Sequence, residues 1–328
     1  MRTQHLSLLA VALAVGLLVA APAAAQRLKF ERAIDVTPGA TLDVSTIRGK
    51  VAVRADNGRQ IRIDGTVTVR LGVGGINVPA NALELAQRVA DRPRIDVADN
   101  VVRLRPPLDS EELRAVTVSY EVLVPRDTRV VIATDSGAIN VDGVGGSLLV
   151  TTQSSSIALS GINGTTEIKT GSGDVKVDRA AGGLRVVTQS SAITLRGLSG
   201  PLDARTQSGA VRASFAGPGA AEVETGSSAI QIDGLSGGLA VRTQSGRVEV
   251  RGNPTAAWNV TTGSSVIDVG LEPAARYTLD ASSRSSSVHL TGIAVEGFTA
   301  KERVSGTVGG GGPIVRLASR SGQIHIGH

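Results

Sequence analysis

VVTQSSAITLRGLSG, residues 186–200, sets residues of one kind two apart around a polar knot: Val186 and Thr188, then Ser190 and Ser191, then Ile193 and Leu195. Side chains at every second position share one face of an extended chain, which is the period of a half-buried strand. The knot reads as a corner, because Ser bonds neighbouring backbone groups and Gly, which replaces the second Ser in other copies, accepts a tight bend. Copies recur down the chain: Thr134, Thr152, Thr170, Thr188 and Thr206 stand 18 residues apart, and Thr225, Thr243 and Thr262 follow at 19, 18 and 19. A later glycine, Gly197 here and Gly234 further on, marks a second bend. A strand–corner–strand unit of this size cannot bury its apolar face alone, so the units must stack. The fold class is all-β, a β-solenoid.

The corners alternate: Ser136-Gly137, Ser154-Ser155, Ser172-Gly173, Ser190-Ser191, Ser208-Gly209, Ser227-Ser228, Ser245-Gly246 and Ser264-Ser265. Like corners thus recur every 36 or 37 residues. If like stacks on like, one turn of the solenoid holds two repeats, the arrangement favoured over one repeat per turn. With strands ~4.8 Å apart, the two arrangements give stacks that differ about twofold in length.

The frame persists beyond the regular copies. Val44, Thr46, Arg48-Gly49, Val51 and Val53 fill it near the start, and IRIDGTVTVR (61–70) adds a strand. NVPANALELAQRVADRP (77–93) is expected to hold the only helix, with Asn81 as cap, Leu83, Leu85, Ala86 and Val89 on its apolar side and Pro93 as stop. Strands resume in RIDVADNVVRLR (94–105) and AVTVSYEVLVP (115–125), and IVRLASRSGQIHI (314–326) is a last copy with Ser319 in the Thr place. The expected organisation is a leader over 1–25, N-terminal coils with a helical insertion near 79–92 over 26–130, and the regular repeats over 131–328, all one continuous solenoid after the leader.

Arg2 and His5, the apolar LSLLAVALAVGLLVA (6–20) and Ala23-Ala24-Ala25 together form a signal peptide pattern with cleavage before Gln26. The apolar run is shorter than the ~20 residues a membrane helix needs, and no later run qualifies. The expected location is therefore the bacterial periplasm or cell surface, with no integral span after the leader is removed. The absence of Cys excludes disulfides, thiolate metal sites, a Cys nucleophile and a lipidated N-terminal Cys. The formal net charge is +5, one unit of it in the leader. That surplus allows contact with anionic envelope polymers, while interleaved charges argue against nucleic acid. Aromatics make up 2% of the chain, so base-stacking platforms and the Trp and Tyr platforms of many sugar sites are nearly absent.

TLDVSTIRGKVAVRADNGRQIRI (41–63), YEVLVPRDTRVVIATDSGAINVDGVGG (120–146), the T-x-S-G repeats and the closing LASRSGQIHI (317–326) resemble a bacterial adhesin-like family known as domain of unknown function 4097, similar to the head domains of auto-transporter adhesins. The resemblance spans nearly the whole mature chain. It implies a single-stranded β-helix, exported to the envelope, with an adhesive or structural role and no catalytic residues to carry over. The sequence departs from the pattern at the helical insertion and at a stretched repeat, LDASSRSSSVHL (279–290).

No residue cluster points to catalysis. The serines repeat at one structural position with no G-x-S-x-G elbow and no nearby His, so Thr134, Ser136, Thr152, Ser154, Thr170, Ser172, Thr188, Ser190, Thr206, Ser208, Thr225, Ser227, Thr243, Ser245, Thr262 and Ser264 are read as structural corners. His289 and His325 sit outward between apolar strand residues, 36 apart, and a 36-residue turn would stack them with His328 nearby. They are the weak metal candidates, but no carboxylate with ligand spacing accompanies them, and the expectation is no metal and no cofactor. Asp142, Asp178, Asp233 and Asp268 lie at or near the second bend, where Arg196 and Arg251 stand in other copies, which reads as turn chemistry rather than a glycosidase pair. Outward residues of the first strand, Glu167 and Lys169, Asp203 and Arg205, Glu222 and Glu224, then Arg242, suit a solvated face with cross-strand ion pairs. Gly72–Gly75 and Gly309–Gly312 lack the Lys-Ser/Thr that phosphate loops require, and read as plain loops.

The expected function is that of a non-enzymatic, adhesin-like binding or structural module whose partner is a protein or an envelope polymer. The alternatives are an envelope signalling partner and a β-helix enzyme acting on polysaccharide.

Overall fold

A computed structural model describes residues 27–69 and 80–328; the leader and the Gly72–Gly75 loop lie outside the described residues. The chain runs β1 (Arg27–Asp35), β2 (Thr41–Thr46), β3 (Val51–Asp56), β4 (Gln60–Val69), α1 (Ala82–Asp91), β5 (Ile95–Ala98), β6 (Val101–Leu104), α2 (Ser110–Ala115) and β7 (Val116–Pro125). The regular region opens with β8 (Arg129–Thr134) and β9 (Ile139–Asp142) and closes with β22 (Trp258–Thr262) and β23 (Ile267–Leu271). Then follow β24 (Tyr277–Ser283), β25 (Val288–Leu290), β26 (Glu296–Thr299), β27 (Arg303–Val308), β28 (Ile314–Ser319) and β29 (Ile324–Gly327). Among the described residues the strands form a 15-stranded sheet that carries the Thr residues, here the first sheet, and a 14-stranded second sheet.

Each repeat places one strand in each sheet, and successive repeats pair in parallel. Leu148 lies opposite Thr166, and Thr188 lies opposite Thr206. One turn is therefore a single repeat of 18 or 19 residues, not the 36 that like-on-like stacking favoured. Ser190 lies over Ser208, whose N–H donates to Gln189 O at 3.0 Å.

The correction has a steric reason. A Cβ on Gly209 would stand 1.7 Å from Ser191 O, one on Gly246 1.8 Å from Ser228 O, and one on Gly173 2.1 Å from Ser155 O. These Gly corners thus press their backbone onto the carbonyl of a Ser corner in the neighbouring turn, and unlike corners stack through the regular repeats; at their start Gly137 lies instead against Gly49 O, Gly on Gly. The alternation in sequence is an alternation of neighbours.

The final repeat is out of order. β28 pairs with β22 on one side and β24 on the other, and β29 likewise lies between β23 and β25. The chain passes over one level, forms the β24–β25 turn, makes the antiparallel β26–β27 pair beside β24, and returns to fill the gap. This keeps the corner rule. Ser264-Ser265 is followed in sequence by Ser285-Ser286 and only then by Ser321-Gly322, but in space Gly322 lies between them, its Cβ direction 1.8 Å from Ser265 O.

The other end uses the same device: β2 pairs with both β8 and β6, and β3 with both β9 and β7, so an early turn lies inside a later one. Antiparallel strands then close the stack, with β4 and β1 beyond β7 and β5 beyond β6. These answer the need to cover parallel edges.

α1 appears where expected and packs on β4, β1 and α2 with Leu85, Ala86 and Val89 buried as expected, but Leu83 is exposed: its place on the inward face is taken by Ala82 and Ala90. Asn81 occupies its cap position without a side-chain bond. It is not the only helix: α2 follows Asp109, whose carboxylate accepts Glu111 N–H at 2.7 Å. Asp109 with Glu111 and Glu112 behind it is a readable helix start.

Inward side chains of both sheets form one buried cluster. Its largest member, Trp258, is fully buried and donates from Nε1 to Gly237 O at 2.8 Å. Thr46, Thr134, Thr152, Thr170, Thr188, Thr206, Thr225, Thr243 and Thr262, with Ser319 and Ser283, make a buried column at the ends of the first-sheet strands.

Candidate functional site

Because parallel turns repeat in register, each outward position becomes a column along the stack. On the first sheet one column runs Glu167, Arg185, Asp203, Glu222, and the next runs Lys169, Val187, Arg205, Glu224, Arg242. Between them the charges form a chain of pairs. Lys169 meets Glu167 at 2.8 Å, Arg185 bonds Asp203, and Arg205 meets Asp203 at 3.0 Å and Glu222 at 3.4 Å. Arg242 closes it at 3.9 Å from Glu222. The Lys169 side chain, bonded to Glu167, holds that carboxylate below its usual range, and Arg185 adds to the effect. Pairs on a solvated face contribute little to stability.

Beside the second column runs the corner itself. The two enclose a groove of about 1570 Å³ lined by side chains from Thr151 at one end to Arg284 and Arg320 at the other. Its wall is the residue that follows the buried Thr of each turn, Gly171, Gln189, Gln207, Gly226, Gln244 and Gly263, and then Arg320 and Arg284 after Ser319 and Ser283. The corner serines beyond it, Ser154, Ser172, Ser190, Ser208, Ser227, Ser245 and Ser264, are exposed. Few bond backbone: Ser136 Oγ donates to Ile47 O at 3.4 Å and Ser264 Oγ to Gln244 O at 3.5 Å, while Ser154 and Ser172 share a 3.3 Å contact. The polar work falls instead to the next position, where Ser191 Oγ accepts Gly173 N–H at 2.7 Å and Ser265 Oγ donates to Ser245 O at 2.6 Å.

The second sheet presents a smaller depression of about 830 Å³ around Lys50, Arg54, Glu121, Asp142, Lys176 and Asp178. Asp142, Ser160, Asp178 and Arg196 form one outward column, so acidic neighbours sit two levels apart with other residues between.

His289 and His325 stack with ring centres 5.1 Å apart, placed together by the inserted last repeat and not by a 36-residue turn. Ser287 Oγ lies 2.6 Å from His289 Nε2. His328 stands apart, its ring nitrogens 3.2 Å from Leu271 O and 3.1 Å from Gly292 O. Among the described residues no group of three His, Cys, Asp or Glu side chains is placed to hold a metal ion. Arg284 and Arg320, absent from the candidates drawn from the sequence, become neighbours only through the insertion.

The Toastrack DUF4097 family model matches residues 116–220 and 164–327, together more than half of the chain. The chain belongs to the Toastrack DUF4097 family. Three solved structures are similar to this Toastrack chain. One is a candidate cell adhesion protein of Clostridium sporogenes, with 12% identity over 92% of this chain and 99% of that one and a TM-score of 0.21. A candidate adhesin of Parabacteroides distasonis has 11% identity, covers 91% and 97%, and has a TM-score of 0.29. A candidate adhesin of Bacteroides fragilis has 13% identity, covers 92% and 96%, and has a TM-score of 0.23. No curated protein matches the Toastrack chain. Among its described residues no helix is long and apolar enough to cross a membrane.

Proposed function

We propose that this Toastrack chain is an exported, non-enzymatic binding or structural module of the bacterial envelope, presenting its repeated faces to a protein or envelope polymer. The observation that carries this reading is the groove on the first sheet, which offers the same polar and charged columns over many successive turns and gathers no reactive cluster. A glycosidase needs two carboxyls across one bond and an acid with a raised pKa. On the second sheet the acidic positions of one column alternate with Ser and Arg, and on the first Glu167 is shifted downward.

Incubation of the mature protein with bacterial envelope fractions tests both halves of the proposal. Saturable retention of envelope material without release of new reducing ends is the expected result. Release of soluble sugar fragments would replace the binding module with the enzyme.

A further inference from the structure

The cations of the groove keep a period that the sequence hides. Counting turns from Lys169, Arg205 stands two turns on, Arg242 four and Arg320 six, with Arg284 on the seventh. In sequence the intervals are irregular, because the inserted last repeat supplies Arg320 ahead of Arg284. In space Lys169, Arg205 and Arg242 recur in one column every two rungs, about 9.6 Å, and Arg320 and Arg284 follow on the sixth and seventh rungs in the adjoining wall column, over a groove about 34 Å long. Among the residues lining the groove these five cations face one acid, Glu224. Arg320 and Arg284 have no ion-pair partner among the described residues. The partners of Lys169, Arg205 and Arg242 are solvent-accessible carboxylates of the neighbouring column, half-buried Glu167 and Asp203 and exposed Glu222, whose pairs a ligand can compete for.

We infer that this groove binds a linear acidic glycan carrying one carboxylate per disaccharide. The inference rests on the binding-module reading. An extended β-linked disaccharide repeats at close to the two-rung spacing, so successive carboxylates meet Lys169, Arg205 and Arg242 in turn, with Arg320 beyond them, and the Arg forks suit planar anions. Gln189, Gln207 and Gln244 on the wall supply amide donors and acceptors for the sugar hydroxyls between them. The site needs no aromatic platform, in keeping with a chain whose aromatic content is 2%. Duplex nucleic acid, with one charge per roughly 3.4 Å on each strand, overcrowds this period, and a single strand would need the stacking surfaces the groove lacks.

The test uses the full mature chain and three polymers: hyaluronan, with one carboxylate per disaccharide; polygalacturonate, with one per sugar; and dextran, with none. A single-stranded oligonucleotide serves as competitor. Hyaluronan is expected to bind, dextran not, and Arg242→Gln with Arg320→Gln to weaken hyaluronan binding by about tenfold or more. Arg196→Gln with Arg212→Gln removes the same charge from the outward face of the second sheet and should leave binding unchanged, both variants keeping the parent thermal transition. Equal loss in the two variants, hyaluronan held no better than dextran, polygalacturonate bound as tightly, or displacement by the oligonucleotide would each overturn the assignment. Failure to bind hyaluronan while envelope material is still retained overturns the groove assignment alone. Failure to retain any envelope material overturns the module reading and this assignment with it.

Discussion

Thr243 Oγ1 accepts the Gly246 N–H at 3.0 Å across its corner, and Thr206 does the same for Gly209. Thr225 and Thr262 occupy the same buried column, yet their hydroxyls have no partner among the described residues. One residue type in one position is therefore worth different amounts in different turns. Thr243→Val leaves a buried N–H without its acceptor and is expected to cost about 1–3 kcal/mol. Thr225→Val, which removes an unsatisfied hydroxyl, is expected to be neutral or stabilising. Urea midpoints of the two variants make the comparison, and equal losses would show that the corner bond contributes nothing. The inward place of every Thr was legible from strand alternation. Which hydroxyl finds a donor was not, because that depends on how the corner backbone three residues on turns its N–H.

At the scale of the element, the brick is a strand, a corner and a second strand, and its neighbours are chosen by the corner. Gly209 lies against the Ser191 carbonyl, so Gly209→Ala must push two turns apart, at an expected cost of about 1–3 kcal/mol. Ser228→Gly converts the opposite type of corner and removes only a small side chain, with an expected loss under about 1 kcal/mol. Thermal unfolding separates the two, and a Gly209→Ala protein as stable as the parent would refute the steric account of the alternation. The helical elements follow local rules. α1 is legible from its apolar spacing and Pro93; α2 shows no period, because six residues are too few, and only Asp109 and the two glutamates after it mark its start.

For the whole molecule the ends matter most, since every inner turn has a neighbour on both sides. The chain's two tyrosines lie near them, Tyr120 in β7, edge-on to Phe30 at 6.4 Å, and Tyr277 in β24. Burial pushes both hydroxyls up to about 12. Up to about pH 10 both are neutral whether the chain is folded or not; between about 10 and 12 the unfolded chain releases protons that the folded chain keeps, so stability falls as pH rises. Tyr277→Phe removes a buried hydroxyl that has no partner, and is expected to leave stability at neutral pH unchanged or slightly raised while reducing the alkaline loss. Denaturation at neutral pH and near pH about 11 checks this, and an alkaline loss undiminished by the substitution would exclude Tyr277 as its source. By itself the sequence determined the strand period, the repeat, the corner position, the mixed charges of the outward face and the family resemblance, all of which are local or periodic. Only the tertiary structure decided the length of a turn, the insertion of the first turn between later ones and of the last turn between earlier ones, and hence the spacing of the groove cations. Parallel rungs of similar apolar width accept almost any neighbour, so the order is set by contacts between distant segments, above all the approach of a Gly backbone to a Ser carbonyl, and these are absent until the chain folds.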